Sequence, residues 1–264
     1  MTNKNLYLIG TVHTDIEGPR RLEGLLRYIA PDTVALEFHK DEEDLMSLRK
    51  SPEEEERETD QILNESRLTL TPEQRMTLLE SGRIMSSVVG YELRECRKYV
   101  QGSPKTRLEF IDLSIFENGK QEFTDGYTAA MKGMFGQIVQ DPELKEHLLE
   151  MLGKGKDKFI QASQGNFDMM YKNGKMMEEL AELLRDPETF EMYKEQLPPN
   201  AVQALRQIYN PRRDEAMAER LNQLYAAGSN KLVAVVGLLH IPGLKSRLLD
   251  LKPTVMTLVD YDSK

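Results

Sequence analysis

The chain has 264 residues, of which 39% are hydrophobic and 30% are charged, and its formal net charge at pH 7 is -9. This length suits one large α/β domain or a domain with a substantial insertion. The negative charge argues against broad contact with a phosphate backbone, so we expect no nucleic-acid partner. A single cysteine, Cys96, excludes an internal disulfide and fits a reducing compartment.

The sequence carries no pattern typical of export or membrane insertion. Its opening, MTNKNLYLIG, has too short an apolar run for a signal peptide, and no stretch approaches the roughly 18 apolar residues of a membrane span. We therefore expect a cytoplasmic protein with no membrane span. The oligomeric state stays open.

The N-terminal segment has the pattern of a strand, a helix and a second strand. The short apolar runs at 6–9 and 33–38 are typical of strands buried on both faces. Between them, leucine and isoleucine recur at helical spacing after Pro19, which suits the first turn of a helix. A strand, a crossover helix and a strand predict a parallel pair.

Helical patterns dominate the next part of the chain. The acidic run at 51–60 predicts a solvated helix or loop, and the stretch from Pro72 to about Val100 predicts a long helix interrupted near Gly82. The run RLEFIDL at 107–113 then predicts a third strand.

Residues 117–206 differ in character from the rest of the chain. Segments rich in Met, Lys and Glu replace the apolar runs and predict a helical insertion or cap of three to five helices. The methionines indicate flexible packing between helices or, alternatively, an adaptable binding surface.

The α/β pattern returns after the insertion. It predicts helices at 211–227 and 242–250, and strands at 232–237 and 254–259. We therefore predict an α/β fold with a central, mostly parallel or mixed sheet flanked by helices, formed by residues 1–116 and 207–264.

One short motif occurs twice, each time directly after a predicted strand. Gly10-Thr11-Val12-His13 and Gly237-Leu238-Leu239-His240 share the spacing Gly-x-x-His. A lone histidine in this context is more often a turn residue, but two of the chain's four histidines occupy it. We expect Gly10 to allow a sharp exit from the first strand.

Four predicted strands deliver an acid or an imidazole at their carboxyl ends, namely His13, Glu37, Asp112 and His240. Ligands bind at this edge of open α/β sheets. Two histidines and a carboxylate can hold a divalent ion such as Mn²⁺, Co²⁺ or Zn²⁺, or can perform acid/base catalysis without a metal. We expect Glu37 to act as a ligand or general base and Asp112 to orient a histidine.

Two further residues near these strand ends are secondary candidates. His39 follows Glu37 by two residues and is an accessory ligand or, more simply, a surface imidazole. Asp15 either orients His13 or caps the helix that follows.

Arg213 is a candidate site residue because its position in a helix is electrostatically unfavourable. It lies in the first turn of a predicted helix, one turn before Met217 on the inward face, where a cation opposes the helix dipole. We expect it to bind an anionic or carbonyl group, or to hold Glu37 or Asp112 in place. A purely structural salt bridge is the alternative.

Together, several motifs resemble the TraB/PrgY family. They are Gly-Thr-Val-His at 10–13, Pro31-Asp32 leading to Glu37, Arg213-Asp214 followed by Met217-Ala218, and VVGLLHIPG at 235–243. The family belongs to a wider group with the Tiki proteases, the GumN-like proteins, the haem-binding ChaN proteins and the erythromycin esterases. The resemblance covers roughly residues 5–50, 75–115 and 207–260. Leu113 departs from it, because many TraB-like sequences have arginine there.

The resemblance implies a function. In the Tiki branch the two Gly-x-x-His motifs and the glutamate are associated with metal-dependent peptide hydrolysis, which implies an active site at His13, Glu37 and His240 supported by Arg213. Our leading hypothesis is a metal-dependent hydrolase acting on peptides. The alternatives are a non-catalytic protein that sequesters a peptide or haem, as in ChaN, and a metal-free esterase for a small molecule.

Overall fold

The computed structural model of the protein describes residues 5–39, 51–66, 68–115, 120–186, 188 and 197–262. Its centre is a sheet of five parallel strands. These strands are β1 (Asn5–Thr11), β2 (Thr33–Leu36), β3 (Arg107–Phe110), β4 (Lys231–Gly237) and β5 (Thr254–Thr257). They lie in the order β3-β2-β4-β1-β5, and every pair is parallel. The prediction of an α/β fold with a mostly parallel sheet is confirmed.

Helices flank the sheet and build the insertion. They are α1 (Gly18–Ile29), α2 (Pro52–Ser66), α3 (Pro72–Val88), α4 (Tyr91–Gly102), α5 (Lys120–Gln140), α6 (Pro142–Gly153), α7 (Lys156–Lys172), α8 (Gly174–Arg185), α9 (Pro199–Ile208), α10 (Pro211–Ala226), α11 (Ile241–Arg247) and α12 (Val259–Asp262). Short 3₁₀ turns follow at Leu238–His240 and Leu249–Leu251. None of the described helices is both long and apolar enough to cross a bilayer.

Burial explains why the sequence forms these central elements. The valines and alanine of β4 are fully or nearly fully buried because the strand has neighbours on both edges and helices on both faces. The predicted apolar stripe of α1 is also buried, so this helix covers the sheet as expected.

The register brings four strand ends to one edge of the sheet. Thr11 of β1 pairs with Gly237 of β4, and Leu36 of β2 pairs with both Val235 and Phe110. The loops that begin at these positions therefore meet above the same part of the sheet.

Some predicted boundaries were wrong. The second, third and last strands end at Leu36, Phe110 and Thr257, two or three residues earlier than expected, because the chain leaves the ladder to form the loops beyond. The long helix breaks at Gly90, which adopts a left-handed φ of 70° at the start of α4, whereas Gly82 lies inside α3.

The insertion contributes five helices, α5 to α9, among its described residues. Part of it packs into the central core, where Tyr171 of α7 and Met177 of α8 are 4% and 2% exposed. Helices α5 and α9 share a smaller apolar cluster of their own. The boundary at residue 117 therefore marks a change of pattern along the chain, while α7 and α8 complete the core formed by the rest.

Candidate functional site

The loops after β1, β2 and β4 bring His13, Glu37 and His240 together. Nε2 of His240 lies 3.0 Å from Oε1 of Glu37. Nε2 of His13 and Oε2 of Glu37 each lie 3.2 Å from the point where a Cβ on Gly237 would stand. Nε2 of His240 therefore contacts Glu37 directly, and the ring of His13 lies near the same carboxylate, close to Gly237.

Asp214 holds the opposite side of the His240 ring. Its Oδ1 lies 2.6 Å from Nδ1 of His240, and its side chain is only 2% exposed because it projects inward from the first turn of α10. Burial lowers the pKa of His240, but the charge of Glu37 and the hydrogen bond of Asp214 outweigh it and raise this pKa to about 9.

Glu92 plays the same part for His13. Its Oε1 lies 2.7 Å from Nδ1 of His13, and its side chain is 2% exposed while that of the imidazole is 53% exposed. The close fit of Tyr91 against Gly18 fixes this end of α4, since a Cβ on Gly18 would lie 2.4 Å from the tyrosine ring. Partial burial lowers the pKa of His13, but the charge and hydrogen bond of Glu92 raise it to about 9.

Both carboxylate oxygens of Glu37 accept hydrogen bonds. Nη2 of Arg213 donates to Oε1 over 2.8 Å, and the backbone N–H of Gly237 donates to Oε2. Burial favours the neutral acid, but the charges of His240 and Arg213 prevail and hold the pKa of Glu37 well below its usual range. Glu37 is therefore an ionised, rigidly held acceptor at the centre of the site.

Arg213 directs its donors to protein acceptors. Its Nε contacts both carboxylate oxygens of Asp112, at 3.2 and 3.0 Å, and its Nη1 donates to the carbonyl of Ile208 over 2.6 Å. With the bond to Glu37, these contacts match the expectation that Arg213 holds Glu37 or Asp112 in place. The other expectation, that it binds a substrate group, is not favoured because the side chain is 9% exposed and already occupied.

The expected role of Asp112 is corrected. Its carboxylate accepts from Arg213 and from the backbone N–H of Leu113, and no described contact joins it to an imidazole. The carboxylates that orient histidines are Glu92 and Asp214 instead. Asp112 balances the charge of Arg213 in the buried layer behind Glu37.

The buried charged side chains around Glu37 make this part of the protein sensitive to substitution. Five residues form a row of alternating charge, and each is at most 8% exposed. In order along the row they are Asp214, His240, Glu37, Arg213 and Asp112. Removing one partner of a buried ion pair typically costs about 3–5 kcal/mol, because the remaining charge loses its compensation.

The two motif glycines each make room for the other motif. A Cβ on Gly10 would lie 2.6 Å from Leu238 and 3.1 Å from Ile241, which flank His240, whereas a Cβ on Gly237 would contact the ring of His13. Gly10 lies inside β1 and is not among the described glycines with positive φ, so it does not supply the sharp exit we expected. Both glycines are needed for space.

Asp15 supports the loop without contacting His13 in any described hydrogen bond. Its buried carboxylate accepts from Tyr171 over 3.0 Å, from Gln164 over 2.9 Å and from the backbone N–H of Glu17 over 2.9 Å. The last contact closes the turn ahead of α1, but the N-cap position of this helix is Glu17 and no side-chain capping bond is formed there. His39 is half-buried beyond Glu37.

The side chains around Glu37 are of types that bind divalent ions in other proteins, and in this structure hydrogen bonds join them. Among the described residues, no group of three or more His, Cys, Asp or Glu side chains is placed so that it could hold a metal ion. Each histidine nevertheless gives Nδ1 to a buried carboxylate, as metal-binding histidines commonly do. Gly237 leaves open the space between His13 and Glu37 that a side chain would fill.

Comparisons with known proteins identify no family for this chain. Neither the known protein-family models nor the curated proteins match the chain. The resemblance to the TraB/PrgY family therefore stays a prediction from the motifs.

Proposed function

We propose that the protein is a metal-dependent hydrolase of the TraB/PrgY and Tiki type, acting on peptides. One observation carries the proposal: a buried carboxylate holds Nδ1 of both His13 and His240, and both rings lie close to Glu37. Outer carboxylates of this kind fix the tautomer that leaves Nε2 free to bind a metal. A simple structural ion pair does not need two imidazoles oriented in this way.

The surroundings of His13, His240 and Glu37 suggest the role of each residue. His13 and His240 would bind the ion through Nε2, and Glu37 would supply the carboxylate ligand. The low pKa of Glu37 favours this role over that of a general base, because a good base has a pKa near the working pH. A divalent ion bound there would polarise a carbonyl and activate water at neutral pH.

The two histidines differ in solvent exposure, which indicates the side from which a substrate would enter. The side chain of His13 is 53% exposed and that of His240 is 10% exposed. A substrate therefore approaches from the side of His13, while Arg213 and Asp112 close the opposite side of Glu37.

The test is cleavage of a peptide library by the purified chain, followed by mass spectrometry. The protein is stripped with chelator and reloaded with Mn²⁺, Co²⁺ or Zn²⁺. We expect cleavage only after reloading, and its loss in His13→Ala and His240→Ala. His147→Ala is the matched control because this imidazole is exposed on α6. Unchanged cleavage in both site variants would overturn the proposal.

A second candidate is metal-free ester hydrolysis. The observation that favours it is the existing 3.0 Å contact between His240 and Glu37, which joins Asp214, His240 and Glu37 in one hydrogen-bonded row without an ion. Full activity on small esters in excess chelator, lost in Glu37→Gln, would select this function over the first.

A further inference from the structure

Helices α7 and α8 of the insertion contact both loops that carry the site histidines. From α7, Tyr171 reaches the loop of His13, and from α8, Arg185 reaches the turn that ends at His240. The insertion lies outside the segments that resemble the TraB/PrgY family, so the resemblance does not predict these contacts.

Arg185 binds two groups that support His240. Its Nη2 donates to the carbonyl of Leu239 over 2.8 Å and lies 2.9 Å from Oδ2 of Asp214. The other oxygen of that carboxylate faces Nδ1 of His240 at 2.6 Å. Arg185 thus fixes the backbone beside the histidine and the carboxylate behind it at the same time.

The space around Asp214 leaves its carboxylate little freedom. A Cβ on Gly243 would lie 1.8 Å from Oδ2 of Asp214 and 3.4 Å from Nη1 of Arg185. The carboxylate therefore lies against the backbone of α11 on one side and the guanidinium on another. Its side chain is 2% exposed, so water does not replace the arginine as a partner.

Tyr171 makes the corresponding contact at the other histidine. Its hydroxyl accepts from the backbone N–H of Val12 over 2.9 Å and donates to Oδ2 of Asp15 over 3.0 Å. The residue before His13 is therefore tied to α7, just as the residue before His240 is tied to α8.

We propose that Arg185 is a positioning residue, which orients the imidazole of His240 through Asp214 and makes the insertion part of the working site. The inference rests on the proposed function only in taking His240 as a site residue. It differs from a general packing role, because packing would stabilise the fold without setting the state of one imidazole ring.

The test compares Arg185→Gln and Arg185→Lys with the wild-type chain. Lys175→Met is the matched control, since Lys175 lies on the same helix but is 85% exposed and pairs only with Glu179 among its described ion pairs. In protein with ¹⁵N-labelled histidine, long-range ¹H–¹⁵N spectra report the tautomer and hydrogen bonding of each ring. His147 provides an internal reference.

We expect Arg185→Gln to shift the ring nitrogens of His240, to leave those of His147 in place, and to lower Mn²⁺ affinity measured by calorimetry about tenfold. Arg185→Lys should shift the His240 signals less than Arg185→Gln does, because an ammonium keeps the positive charge beside Asp214. It should still shift them, because an ammonium lacks the planar geometry of the guanidinium. Lys175→Met should match the wild type in both measurements.

Wild-type nitrogen signals for His240 in folded Arg185→Gln would overturn the proposal. If that variant does not fold, Arg185→Lys decides, and wild-type signals there have the same meaning. Absence of binding of all three ions, Mn²⁺, Co²⁺ and Zn²⁺, by the wild-type chain would instead overturn the metal-dependent function. The nitrogen signals would still test the role of Arg185.

Discussion

Asp214 and His240 form a buried pair whose geometry sets the chemistry of the site. Oδ1 of Asp214 lies 2.6 Å from Nδ1 of His240, and the other ring nitrogen lies 3.0 Å from Glu37. The imidazole is therefore held at both ends by carboxylates. Below about pH 9 the ring carries a hydrogen on both nitrogens, one facing Asp214 and one facing Glu37, and only loss of the hydrogen on Nε2 would leave that atom able to bind a ligand.

Asp214→Asn should weaken the site while keeping its shape. A carboxamide can present its NH₂ group to Nδ1 and so favour the wrong tautomer, in which Nε2 carries the hydrogen. We expect Mn²⁺ affinity and kcat/KM for a cleaved peptide to fall about 10–100-fold. Calorimetry and steady-state kinetics measure the two effects.

Glu215→Gln is the control for this substitution. Glu215 is the next residue of α10, but its side chain is 66% exposed and its described ion pair is a 3.8 Å contact with Arg247. Exposed pairs of this kind contribute little, so its kinetics and affinity should equal those of the wild type. Equal losses in both variants would contradict a specific role for Asp214.

The part of the site formed by strand ends could be predicted from the sequence. His13, Glu37 and His240 each follow an apolar run, and parallel strands expose their carboxyl ends at one edge. The inward placement of Arg213 was also predictable, because helical spacing puts it on the same face as Met217.

The supporting carboxylates depend on tertiary packing and were missed. Among the described residues, helices α2 and α3 lie between β2 and α4, and no local pattern says which loop Glu92 approaches. A usable signal existed for Asp214, which lies three and seven residues before buried Met217 and Leu221 and so belongs to the apolar face of α10. A charge on such a face predicts a buried partner, but its identity depends on the loop after β4.

The pKa values of the site predict how stability depends on pH. In the folded chain the pKa of His240 is raised from 6.5 to about 9, so folding strengthens proton binding. The resulting stabilisation is fully present below pH 6.5 and is lost as the pH rises through about 9. Its full size is on the order of 3 kcal/mol. The lowered pKa of Glu37 acts in the opposite direction and costs stability only as the pH falls below 4.5.

We therefore expect the free energy of unfolding in urea to decrease between pH 6.5 and about 9. His240→Gln should flatten this decrease, because it removes the deeply buried titrating group, whereas His147→Gln on the exposed face of α6 should leave the slope unchanged. His13 adds less because solvent screens its pair with Glu92. A slope that is the same in His240→Gln and in the wild type would contradict this account.

Gly237→Ala tests whether the space between His13 and Glu37 is functional. The added Cβ would lie 3.2 Å from Nε2 of His13 and from Oε2 of Glu37, so both groups would have to move by a few tenths of an ångström. The backbone at Gly237 has φ of -57°, which alanine adopts without strain, so the free energy of unfolding should change by no more than about 1 kcal/mol.

The same methyl group fills the space between His13 and Glu37, which the proposed function would leave for an ion or a substrate atom. We therefore expect Mn²⁺ affinity and peptide cleavage to fall at least about tenfold, because Gly237→Ala displaces donors that must be held in a fixed geometry. Gly82→Ala is the matched control, since this glycine lies inside α3 with nothing within 4 Å of its Cβ position, and alanine there should stabilise the helix by about 0.5–1 kcal/mol. Wild-type affinity and turnover in Gly237→Ala would show that the site does not use the space between the imidazole and the carboxylate.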